Sequence, residues 1–130
     1  QYEYKIGSSV GSMTNIEELS VAGEDRVPPV GMTYKPFSVV RHAVSGRTYG
    51  DGYAECTWIF SAMSRGMLYV LLLYLDGAQS AEVYIKTRIN EGVYRTYSAI
   101  MHRPLAGADM EWEHGLWRDI HIRFTKLVEV

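Results

Sequence analysis

One continuous apolar run, Met67 to Leu75, is set into a chain whose other apolar residues recur mainly at every second position. That contrast limits the possible folds. Met67, Leu68, Leu71, Leu72 and Leu75 fall at three- and four-residue spacings, the stripe of a helix that lies on another element. Val83, Ile85, Thr87 and Ile89 instead alternate with Glu82, Tyr84, Lys86 and Arg88, the period of a strand with one face buried. A single helix within a mainly β domain is the expected result. Ser61 or Ser64 can cap its first N–H groups, and Asp76-Gly77 suits its end. The run is far below the ~20 residues of a membrane span, so a soluble chain with no membrane partner is expected.

A first strand is expected from Phe37 to Val44, followed by a loop over Ser45 to Gly52. A second runs from Tyr53 to Phe60 and puts Cys56, Trp58 and Phe60 on one face. Asn90-Glu91-Gly92 reads as a hairpin turn between a strand over Ala81–Ile89 and one over Val93–Met101, which Arg103-Pro104 ends. Leu105 to Gly115 reads as a polar, acidic connection. In the final strand, from Trp117 to about Phe124, Ile120, Ile122 and Phe124 face inward and Asp119, His121, Arg123 and Thr125 outward. Leu127, Val128 and Val130 break that parity, which predicts a bulge near Lys126.

Residues 1–31 differ from the rest: glycines and serines surround a short alternation, Tyr2-Tyr4-Ile6, and Pro28-Pro29 makes a stiff break. The expected organisation is an extended N-terminal assembly arm over 1–31 and one β domain over 32–130. The arm's alternating residues are suited to pair with a neighbouring subunit, and a frayed end is the alternative.

The sequence points to little chemistry. With 13 basic and 15 acidic side chains spread along its length, the chain has no basic field to grip phosphate backbones. Cys56 is the single cysteine, and its apolar strand makes a buried, inert thiol the expectation. His42, His102, His114 and His121 lie in separate elements without metal-ligand spacing. His114 follows Glu111 and Glu113, but no nucleophile adjoins them. The glycines of Ser45-Gly46-Arg47 and Gly50-Asp51-Gly52 are not followed by Gly-Lys-Ser/Thr, so no phosphate loop is expected. No catalytic, metal or cofactor-binding residue and no cofactor is therefore assigned. Aromatic and charged side chains on the hairpin and arm, Tyr2, Tyr4, Ile6, Tyr84, Lys86, Arg88, Tyr94 and Arg95, form the candidate assembly interface.

Three segments carry a resemblance. Arg47-Thr48-Tyr49-Gly50-Asp51-Gly52-Tyr53, Trp58-Ile59-Phe60 ahead of the helix, and Ile120-His121-Ile122-Arg123-Phe124 with Leu127-Val128-Glu129-Val130 together resemble the tail-tube fold of tailed phages, particularly small minor-tail and distal-tail proteins. The resemblance spans Phe37 to Val130. It implies a mainly β fold, an antiparallel β-sandwich or incomplete barrel with one flanking α-helix. It also implies a non-enzymatic virion protein made in the host cytoplasm, self-associating into hexameric or stacked rings around a DNA channel. Its partners would be other phage tail proteins, with DNA only as passing cargo. A small β-barrel enzyme or ligand-binding protein, with His102, His114 or Glu113 in a pocket, is the alternative.

Overall fold

The computed structural model describes residues 4–16, 31–36, 39–42, 44–46, 48–90, 93–113 and 115–130, without the side chains at 39–42, 48–51 and 90. The long alternating segments form the long strands. Strand β7 (Ser80–Asn90) pairs with β8 (Val93–His102), and β8 with β10 (Leu116–Glu129), all antiparallel. On its other side β10 pairs with β6 (Ala54–Met63). The inward positions are those the period predicts: Val83, Ile85, Ala99, Met101, Ile120, Ile122, Phe124, Trp58 and Phe60 are all buried. The expected break near Lys126 is present. The pairing of β10 slips against β6 between Phe124 and Leu127, and Lys126 takes a φ of 53°. That bulge turns Leu127 back into the core, where it is 4% exposed.

Four shorter strands complete the main sheet: β1 (Lys5–Gly7), β2 (Thr14–Asn15), β3 (Gly31–Lys35) and β9 (Glu111–Glu113). The strand order is β2-β1-β7-β8-β10-β6-β3, with β9 added on β10. Strands β4 (Val39–His42) and β5 (Thr48–Asp51) form a separate two-stranded sheet. The main sheet curls until β6 faces β7, although β8 and β10 lie between them in the order. Trp58 Nε1 on β6 donates a 2.8 Å hydrogen bond to Thr87 Oγ1 on β7. Strand β3 comes up against β7 without joining it in a ladder, so the sheet is an incomplete barrel.

The single helix, α1 (Arg65–Leu72), continues as a 3-10 turn over Leu73–Leu75. Of the two possible caps, Ser64 is the one used: its Oγ accepts from Met67 N at 3.2 Å, while Ser61 still lies in β6. Met67, Leu68, Leu71 and Leu75 are buried in the common core. Asp76 in the left-handed region and Gly77 at φ 78° turn the chain away. The connection runs from the end of β6 to the start of β7, so the helix closes one end of the curled sheet.

Four expectations need correction. Residues 4–16 are not an arm: β1 pairs with β7 of the same chain, Ile6 opposite Ile85, and Tyr4, Ile6 and Ile16 are core residues. Tyr2 and residues 17–30, with the Pro28-Pro29 hinge, lie outside the described residues. Strand β3 precedes the expected first strand and is held by pairing with β6 over Gly31–Lys35. The loop expected over Ser45 to Gly52 contains β5, paired with β4. The polar connection after Leu105 contains β9, whose Trp112 stacks edge-on against Trp117 at 5.1 Å.

Candidate functional site

The turn over residues 103–110 and the outward face of β10 create a polar hollow. Phe124 pairs with Met101 with both side chains buried, so the next residues along, Arg123 and His102, point outward from neighbouring strands. His121 stands two residues before Arg123 on that face, and Ser80 pairs with His102 from β7. The chain then leaves β8 through Arg103-Pro104 and folds back as a tight turn. Leu105 N donates to Asp109 Oδ2 at 2.9 Å, Gly107 N to Met110 O at 2.7 Å, and His121 N to Asp109 O at 2.9 Å. The last bond fastens the turn to β10. Between turn and sheet lies a cleft of about 230 Å³ lined by Gln79, Ser80, His102, Arg103, Asp109, His121 and Arg123, with Pro104 and Leu105 at its side.

The cleft gathers basic groups in a chain of net charge −2. His102 Nε2 and Thr125 Oγ1 lie 2.7 Å apart in a hydrogen bond. Burial, followed by the charge of Arg123, holds His102 below the ordinary imidazole range, with Glu55 pulling the other way. Arg103 Nε donates to Ala78 O at 3.1 Å. Arg123 has no hydrogen-bond or ion-pair partner among the described residues. A second, more apolar hollow of about 390 Å³ lies beyond Arg103 against the helix, lined by Tyr69, Leu72, Leu73, Asp76 and Gly77.

The candidate assembly residues do not form one surface. Tyr4 and Ile6 are inside the fold; Tyr4 packs edge-on to Trp58 at 5.5 Å and to Tyr94 at 5.4 Å. Tyr94 is thus drawn against the core. Tyr84, Lys86 and Arg88 are half-buried along β7, at positions that alternate with buried Val83, Ile85 and Thr87. Arg95 is exposed and pairs with Glu129 of β10 at 2.8 Å. Both ends of that pair are about half exposed, so it adds little stability. Of the residues in the alternative reading, His102 lines the cleft, Glu113 is exposed on β9, and His114 lies outside the described residues. No group of three or more His, Cys, Asp or Glu side chains among the described residues is arranged to hold a metal ion.

Spacing along the chain does not bring the cleft residues together. The signal was present only as cross-strand register: His102 opposite Arg123, with Arg103 one step further on. Comparison with protein-family models, with curated proteins and with solved structures finds no match.

Proposed function

We propose that this protein is a structural subunit that associates with copies of itself. The form is the one its sequence resemblance implies: a tail-tube-like ring around a DNA channel, in a virion tail. In this reading the other partners are further tail proteins, DNA passes through as cargo, and no residue is catalytic. The observation that carries the proposal is the unclosed sheet. Strand β1 covers only the middle of β7, against residues Tyr84 to Lys86, and β3 is paired on one side only among the described residues. Such edges present N–H and C=O groups in register for another strand, and proteins that do not use them usually shield them.

The chain's small net charge of −2 agrees with the same reading, because a channel that lets DNA slide must not hold phosphate along its length. An active site built on His102 and Glu113 has less support. Glu113 does not line the cleft that His102 lines, and a general base needs its partner within hydrogen-bond reach. Light scattering on the purified chain, with electron microscopy of the same sample, tests the proposal. A defined oligomer with ring-shaped particles is expected; a monomer at every concentration up to the millimolar range overturns it.

A further inference from the structure

We propose that the cleft between the outward face of β8–β10 and the turn over residues 103–110 binds a phosphate-class oxyanion, either free or carried on a small molecule. The inference does not rest on the assembly reading.

Four basic side chains reach the cleft from three segments: His102 from β8, Arg103 from the connection, and His121 and Arg123 from β10. Tetrahedral oxyanions are held by donors that approach from several directions, and guanidinium groups match their geometry best. Neither arginine is neutralised. Arg103 uses its Nε on Ala78 O, which fixes the side chain while its terminal nitrogens keep no partner among the described residues. Arg123 has no partner there at all.

Asp109, the one carboxylate in the lining, accepts from the Leu105 amide through Oδ2 and so serves the turn itself. Glu55 acts on His102 from outside the lining, but does not form the wall. Ser80 and Gln79 add neutral polar groups to the lining. A metal cation would meet two guanidiniums against one carboxylate, and an apolar ligand would have to desolvate both arginines. An anion is the ligand class for which the set is complementary.

The test is calorimetric titration of the whole chain at neutral pH and constant ionic strength, with inorganic phosphate and, separately, glycerol 3-phosphate. Saturable binding to one site is expected for at least one of them. Free phosphate is the ligand type if the two bind equally, and a phosphorylated small molecule if the ester binds more tightly. Arg123→Gln should weaken binding by about tenfold or more, as loss of a charge-assisted contact does. Because Arg123 is exposed, that variant should keep the parent's melting temperature without ligand. Arg95→Gln, at the other end of β8, should bind as the parent does.

Unsaturable heats with both probes overturn the proposal. So does an equal loss in Arg95→Gln, which would mark general charge attraction. Tight, salt-sensitive binding of a single-stranded oligonucleotide without binding of either small probe also overturns it.

Discussion

Thr87 is the one polar side chain buried in the core among the described residues, at 0% exposure. Its position is satisfied: Oγ1 accepts the Trp58 indole N–H and donates to Arg88 O at 3.4 Å. Cys56 shares this environment, 2% exposed, and burial pushes its thiol from an ordinary 9.0 up to about 12, with Thr87 pulling slightly the other way. The folded chain favours the neutral thiol, so the contribution is complete below pH 9.0 and is lost as pH rises towards about 12. Stability should fall through that window by about 1.4 kcal/mol per pH unit from this group. Tyr97, also held above its ordinary range by burial, acts in the same direction. At pH 8 a thiol reagent should leave Cys56 unmodified until the chain is unfolded by denaturant; rapid labelling of the folded protein would show the site to be open.

Gly7 has a different constraint. A Cβ there would lie 2.8 Å from the Met13 Cα and 2.9 Å from the Ser12 carbonyl oxygen, both backbone atoms that cannot turn aside. Gly7→Ala should therefore cost about 1–3 kcal/mol, the usual penalty for overpacking, measured by chemical denaturation. A variant as stable as the parent would mean that β1 shifts freely. The sequence presents Gly7 beside Ser8 and Ser9, a composition that reads as flexible. Its actual reason, the approach of residues 12 and 13 to β1, is a contact that composition cannot express.

Elements were legible in proportion to their length. Strands β7, β8 and β10 each offer enough alternation to settle their inward face, and the helix declares itself by a stripe of five residues at helical spacing. Strands β1, β3, β5 and β9 have three to five residues apiece, too few for periodicity to outweigh flanking glycines, prolines or acids. Their pairing partners decide them. Strand β9 is the clearest case: Glu111, Trp112 and Glu113 are all exposed, so no buried face exists to be read.

The N-terminal segment follows the same logic. The alternation through Tyr4 and Ile6 points to a strand, found over Lys5–Gly7, but does not say which sheet it joins. Ile16 N donates to Tyr4 O at 2.9 Å, so the chain doubles back and both ends of this segment enter the core. Losing buried Ile6 and Ile16 alone should cost about 2–5 kcal/mol each, comparable with a typical domain's entire ~5–15 kcal/mol. Deleting residues 1–16 should thus leave a chain without a cooperative melting transition. A truncated chain that melts cooperatively near the parent's temperature would return these residues to the role of an arm.

At the scale of the molecule, the cleft and the edges follow from the same curl. Bending the sheet brings Trp58 to Thr87 and fills the interior, while the outward face of β10 is left for the turn over 103–110 to lean on. It also leaves β3 against β7 without a ladder. Assembly by strand addition would use one of those edges. On β3, Met32 and Tyr34 pack against the core, and Thr33 and Lys35 are exposed. One charge already guards this edge at Lys35. A second at Thr33 should make it unusable, because a strand docking there would have to pack beside both ammonium groups. Thr33→Lys should change stability by no more than about 0.5 kcal/mol, as exposed substitutions usually do, yet, if the proposed association uses this edge, shift the light-scattering mass from oligomer to monomer. Ser80→Lys, on the stretch of β7 that β1 leaves uncovered, tests the other edge in the same way. If the parent is the oligomer proposed above and both variants melt like it and keep its mass, strand addition at these two edges is ruled out as the mode of association.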